Sequence, residues 1–274
     1  MKMKSFQPIR SLIFLLFLIM LMMPLQTTAA ALPYGLALEL DGSNDYATKA
    51  DNPTLDLGTG AASDFTLETW FYVPDLTNTT TDTLIWKQGA YGLYILFRDT
   101  TPDRLIFRIY TGVLANDYVF VYYDVDLSVN WHHIAAVFDN EYTDAQDWIA
   151  IYLDGSRVTS GSGFELTPGL PNSSSALNIG AYVGVNPTDG WLEEVRLSDV
   201  VRYSGASYTM PGAAFADDPN TRGLWHFNEA SSATSFVDSS GNGNTLSAGG
   251  GACTGSPFPI VVPSNPLSAS FRNF

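Results

Sequence analysis

Two neighbouring runs constrain this chain more than any other feature: Trp131-His132-His133-Ile134-Ala135-Ala136-Val137-Phe138-Asp139, and Trp148-Ile149-Ala150-Ile151-Tyr152-Leu153-Asp154-Gly155 after it. Residues 140–147 between them are charged and lack any helical apolar period, so they read as the loop of a hairpin. In the second run Ile149, Ile151 and Leu153 fall on one face, and Trp148, Ala150, Tyr152 and Asp154 on the other. That alternation predicts a half-buried antiparallel strand, with Asp154-Gly155 as the tight turn that follows.

The same period recurs along the chain. Leu36, Leu38 and Leu40 alternate ahead of Asp41-Gly42-Ser43-Asn44-Asp45, a turn crowded with oxygen-bearing side chains. Phe65, Leu67 and Phe71 share a face in a strand that Pro74 ends, and residues 78–82 read as a flexible Thr-rich loop. Three successive strands are expected at 92–98, 104–110 and 118–125. In the first, Leu93, Ile95 and Phe97 oppose Tyr94, Leu96 and Arg98; in the second, Leu105, Phe107 and Ile109 oppose Arg104, Ile106, Arg108 and Tyr110. The third is aromatic on both faces. Further strands are expected at 177–180, 191–199 and 224–229, with a turn at 238–244, and no helix longer than a turn or two.

Several of these segments resemble motifs of the laminin-G-like, concanavalin A-like jelly rolls of secreted proteins. The hairpin resembles W-H-H-[IV]-A-x-V-[FY]-D followed by [IL]-x-[IL]-Y-[LV]-D-G, and residues 37–46 resemble A-L-x-[FL]-D-G-x-x-D-Y. Residues 64–70 resemble D-F-T-[LI]-E-x-W. Residues 190–197 resemble G-x-[IL]-D-E-[VF]-R-[IV], with Glu193 where Asp is usual. Leu224 to Glu229 with Asp238 to Asn244 resembles a pairing that often precedes the first strand; its place here predicts a sandwich closed by C-terminal strands. The resemblance spans residues 34–250 and implies an all-β fold: a two-sheet antiparallel β-sandwich of the concanavalin A-like jelly-roll type. It is specific for fold and unspecific for function.

The expected organisation is a signal peptide at 1–30, the jelly-roll domain at 31–251, and a Pro-rich tail or edge strand at 252–274. Lys2, Lys4 and Arg10 precede an apolar run from Leu12 to Met23, Pro24 breaks it, and Ala29-Ala30-Ala31 suits signal peptidase. That run is shorter than the roughly 20 residues needed to cross a bilayer, so a secreted protein without stable membrane insertion is expected. Cleavage would leave ten basic residues against 28 acidic ones, a formal charge of −18. Such a surface argues against nucleic acid and anionic lipid as partners. Cys253 is the one cysteine, so no intramolecular disulfide forms and stability must come from the core.

Asp238-x-Ser240-x-Asn242-Gly243 has the alternating oxygen ligands of a half calcium loop, but its twelfth position is Gly249 rather than a bidentate Glu. One structural calcium ion would therefore draw further ligands from Asp41, Asp45 and Glu193. Strict alternation sets Glu193 beside Trp191, Val195 and Leu197 on the apolar face, where a carboxylate needs a hydrogen bond, a metal or a proton. The alternative is an Asx turn at Asp238 and a backbone-paired Glu193. A second feature is a face: Tyr94, Arg98, Arg104, Arg108 and Tyr110 point to solvent on two paired strands, where aromatic rings stack on pyranose C–H faces and arginine forks bind hydroxyls, carboxylates or sulfates. The alternative is ordinary surface Arg–Asp pairing. Tyr182, with Trp191 behind it, marks a second rim site.

Catalysis has little support. The E-x-D-x-x-E strand of related glucanases is absent, and adjacent Glu193 and Glu194 point to opposite faces. His132, His133 and His226 read as core or hydrogen-bonding residues. The expected activity is non-catalytic binding of cell-surface or extracellular carbohydrate, with an extracellular protein partner as the chief alternative and polysaccharide hydrolysis as a third.

Overall fold

The computed structural model describes residues 35–59, 64–77, 79–98, 102–112, 118–140, 148–159, 170–182 and 185–255. The expected signal segment, the hairpin loop at 141–147 and the chain after residue 255 lie outside the described residues. The described strands are β1 (Ala37–Asp41), β2 (Tyr46–Lys49), β3 (Phe65–Tyr72), β4 (Thr81–Lys87), β5 (Tyr91–Leu96), β6 (Asp103–Tyr110), β7 (Tyr118–Val125), β8 (Trp131–Phe138), β9 (Ile149–Leu153), β10 (Ser156–Arg157), β11 (Leu177–Ile179), β12 (Asp189–Ser198), β13 (Thr221–Trp225), β14 (Ser235–Phe236), β15 (Leu246–Gly249) and β16 (Cys253–Gly255).

They form two antiparallel sheets. One runs β10-β9-β8-β3-β12-β1-β16, with β13 also paired to β12; the other runs β14-β15-β2-β11-β4-β5-β6-β7. Apolar residues at alternate positions of both sheets meet in one continuous core, among them Leu38, Phe65, Leu67, Leu93, Phe107, Ile134, Ile151 and Trp225. This is the expected two-sheet jelly-roll sandwich. C-terminal strands extend both sheets: β15 pairs with β2, and β16 with β1 at an edge. Among the described residues no helix is long and apolar enough to cross a membrane.

Three expectations of local structure need correction. β9 is buried on both faces, because Ala150 and Tyr152 pack beneath Val201, Tyr203 and Tyr208. Alternation tells which residues share a face, but not that a loop returns to cover it. In β12 the register shifts between Glu193 and Arg196, and Glu194 takes a left-handed φ of 53°. This bulge returns Val195 and Leu197 to the core face already held by Leu192, and leaves Glu193 with Trp191 on the outer face, opposite Trp70, parted from Val195 and Leu197 with which strict alternation grouped it. Finally, the Thr-rich segment at 78–82 is not all loop, since Thr81 and Asp82 open β4. A second register shift, between Thr83 and Ile85, places both Leu84 and Ile85 in the core and hides that strand's alternation.

Candidate functional site

The outer face of the second sheet carries the site. Cross-strand pairing sets Trp86 opposite Gly92, Gly92 opposite Arg108, and Arg108 opposite Phe120. Gly92 is required by this row: a Cβ there would lie 2.3 Å from the Trp86 ring, which rests where a side chain would otherwise stand. The Trp86 ring meets Tyr182 at 4.6 Å between centroids, Tyr94 at 5.9 Å and Tyr110 at 6.3 Å. The Arg108 guanidinium lies 4.0 Å from the centre of the Tyr118 ring and donates to the Tyr94 hydroxyl at 2.9 Å. Trp86 Nε1 donates to Gln88 Oε1 at 3.2 Å. Together these groups line an open groove of about 510 Å³.

The structure sorts the predicted residues. Tyr94 and Arg108 line the groove, and so does Tyr182, which joins the Tyr/Arg face instead of forming a separate rim site. Trp191 does not stand behind Tyr182; it packs on Tyr72 at 5.5 Å on the outer side of the other sheet. Tyr110 belongs to the groove but is buried beside Trp86 and Tyr118, not solvent-facing. Arg98 and Arg104 are not in the groove. Both contact Asp124, from Arg98 Nη2 at 2.7 Å and from Arg104 Nε and Nη2 at 2.7 and 2.9 Å, and Arg104 also covers the Tyr122 ring. They follow the surface-pairing alternative. Trp86 and Tyr118, which hold the groove together, were absent from the expected set. We predict that Gly92→Ala dislodges the Trp86 ring and quenches or shifts its fluorescence at little cost to secondary structure; an unchanged emission spectrum would contradict the packing described.

The six residues named for calcium do not come together. Asp238 Oδ1 accepts the backbone N–H of Leu224 at 3.1 Å and of Ser240 at 2.9 Å, and the Ser240 hydroxyl at 2.7 Å; its Oδ2 accepts Asn244 N–H at 2.8 Å. The Asn242 amide donates to the Thr221 carbonyl at 2.9 Å. Asp41 accepts Ser43 N–H at 2.8 Å, Asp45 accepts Gly251 N–H, and Glu193 lies opposite Trp70. The carboxylates of Asp41, Asp45 and Asp238 thus each accept backbone N–H groups. Among the described residues no group of three or more His, Cys, Asp and Glu side chains could hold a metal ion.

The charged motif residues serve the fold. Glu68 is fully buried on the outer face of the first sheet, with Arg196 Nε and Nη2 each 2.7 Å from Oε1, the Tyr203 hydroxyl 2.5 Å from Oε2, and His133 Nε2 at 3.4 Å. His132 Nδ1 lies 2.7 Å from Asp154 Oδ2, which ties the turn after β9 to β8. Glu194 accepts Phe215 N–H at 2.7 Å and lies 2.6 Å from His226 Nδ1. Among the described residues no Asp or Glu lines the Trp86 groove. A second cleft, of about 450 Å³, is lined by Asp56, Asp64 and Asp199, but each is engaged: with Lys87 Nζ at 3.1 Å, Asn140 N–H at 2.8 Å and Arg222 Nε at 2.7 Å.

This architecture is that of the concanavalin A-like jelly rolls. Residues 41–205 match the laminin-G-type model of the concanavalin A-like lectin/glucanases superfamily, and the chain belongs to that family. Among solved structures it is similar to a Bacteroides ovatus protein provisionally described as carbohydrate-binding, at 18% identity and a TM-score of 0.54, covering 82% of this chain. The chain spans 60% of that protein, and the likeness is one of fold. Weaker matches include the CBM40 module of a Ruminococcus gnavus sialidase bound to α2,3-sialyllactose, with 11% identity, a TM-score of 0.44 and coverage of 62% of this chain and 94% of that one. Another is a pentraxin of Limulus polyphemus, with 13% identity, a TM-score of 0.42 and coverage of 78% and 94%. No curated protein matches the chain.

Proposed function

We propose that this protein is a secreted, non-catalytic module that binds carbohydrate of a cell surface or an extracellular polysaccharide in the Trp86 groove. One observation carries the reading: Trp86, Tyr94, Tyr118 and Tyr182 line a single open groove that also holds a guanidinium and, among the described residues, no carboxylate. Aromatic faces take the C–H side of a pyranose, while hydroxyl and guanidinium groups take its oxygens. A hydrolase would need two carboxyl groups roughly 5–10 Å apart across the bound sugar, and the described residues place none on the walls of this groove. Family membership and the fold shared with the Bacteroides ovatus protein support the same reading.

The test is a glycan array with the Tyr182→Ala variant, because Tyr182 is half-buried and leaves the inter-sheet core untouched. Losing one stacking ring is expected to weaken binding about fivefold to tenfold. Unchanged affinity would remove the groove from consideration. A protein partner is the second reading, favoured by β7, an edge strand that exposes Phe120 and Tyr122. Capture of a secreted protein that Phe120→Ser abolishes and Tyr182→Ala does not would establish it instead.

A further inference from the structure

We infer that the ligand of this groove carries a negative charge, a carboxylate or sulfate on its sugar ring, and that Arg108 is the group that meets it. This rests on the carbohydrate reading and narrows it. Five other arginines have acidic partners, Arg98 and Arg104 sharing Asp124, Arg196 holding Glu68, Arg202 holding Asp218 and Arg222 holding Asp199, while Arg157 donates from Nε to the Thr159 carbonyl at 3.1 Å. Arg108 has no acidic partner among the described residues. Its hydrogen-bond partner is the Tyr94 hydroxyl, and its Nε is buried without an acceptor.

In a chain of 28 acidic and 13 basic residues, a guanidinium left without a carboxylate is an exception. Tyr118 at 4.0 Å, Tyr94 at 5.5 Å and Trp86 at 5.6 Å give it aromatic faces that offset part of its lost hydration. A ring does not satisfy the N–H fork, which matches the paired oxygens of a carboxylate or sulfate better than a lone hydroxyl. Trp86 itself is buried beneath these rings, so the sugar seats on the half-buried Tyr118 and Tyr182, and such a substituent reaches the fork from the open side. The acidic surface elsewhere repels polyanions, so recognition falls to this one contact and not to a diffuse basic patch.

The test compares immobilised polygalacturonate with its methyl ester, and heparin with desulfated heparin, using the wild type, Arg108→Gln and Tyr182→Ala. The two charged polymers separate carboxylate from sulfate. The wild type is expected to bind at least one charged polymer about tenfold or more tightly than its neutral counterpart, as befits a hydrogen bond to an ionised group. Arg108→Gln should abolish that preference, so that the charged form binds no more tightly than the neutral one, whereas Tyr182→Ala should weaken both forms by one factor and keep the preference. The inference is overturned by equal wild-type binding of charged and neutral forms, by a preference that survives Arg108→Gln, or by failure to bind either charged polymer. The charged-against-neutral comparison uses the native protein, so it decides the matter even if Arg108→Gln folds poorly. Equal binding of both forms with a response to Tyr182→Ala would leave the carbohydrate reading standing, and no response to Tyr182→Ala would remove that reading by itself.

Discussion

Glu68→Ala is expected to lower the unfolding free energy by about 3–5 kcal/mol, the range for breaking a buried ion pair from one side. The cost arises less from the lost contacts than from what remains. Arg196 would keep its charge with only a tenth of its side chain exposed, and the Tyr203 hydroxyl and the His133 ring would lose their acceptor. Urea denaturation measures the effect, and a loss below about 1 kcal/mol would show that the network is dispensable. Burial by itself would raise the Glu68 pKa, but the hydrogen bond from His133 and the charge of Arg196 outweigh it and bring the carboxyl down to about 2. The folded-state pKa is therefore depressed. Its stabilisation is complete above the ordinary value of 4.5 and lost as pH falls from there to about 2. Because Glu68 lies on the outer face of the first sheet and the groove on that of the second, any folded fraction of this variant should retain the carbohydrate affinity proposed for the groove.

Glu68, His133, Glu194 and Arg196 were visible in the sequence as parts of motifs, yet their role was not legible there. Each stands among apolar neighbours on a strand, and only the return of residues 199–217 over that face explains why charge is tolerated. The core was legible because alternation specifies it directly: Leu93, Ile95, Leu105, Phe107 and Ile109 all point inward. The groove was half legible. Tyr94 and Arg108 followed from the period of β5 and β6, but Trp86 lay in a strand whose bulge disrupts that period. The sequence did hold a signal for it. Gly92 interrupts an otherwise aliphatic and aromatic strand, and a strand glycine marks a place where something lies close to the backbone. The pairing of Arg98 and Arg104 with Asp124 on the neighbouring strand was anticipated as ordinary surface pairing, whereas the approach of Tyr182 to Trp86 had no marker, since it depends on a contact between segments far apart in sequence.

The second large effect has the opposite sign: Asp82→Asn should stabilise the protein at pH 8 by about 2–4 kcal/mol and change little at pH 4. Asp82 opens β4 almost fully buried, with its Oδ2 accepting Asp189 N–H at 3.2 Å. Burial drives its carboxyl up to about 7; the Asp189 N–H pulls the other way, and the Asp189 charge adds to the rise. A folded-state value above the unfolded one means a contribution fully present below 3.8 and lost as pH climbs towards 7. Asp189 is raised as well, by burial first and then by the charges of Asp75 and Asp41. His226 is raised by its bond to Glu194; His132 is raised because its bond to Asp154 outweighs burial, so both stabilise below their ordinary 6.5 and cease to do so at higher pH. Glu68 works in the other direction only below 4.5. The wild type should therefore unfold at its highest temperature near pH 4–5, falling towards pH 8, and the asparagine substitution should flatten that fall while keeping the acceptor for Asp189 N–H. A melting temperature that rises from pH 5 to pH 8, or an Asp82→Asn variant that parallels the wild type across that span, would mean that Asp82 is ionised in the fold at no cost.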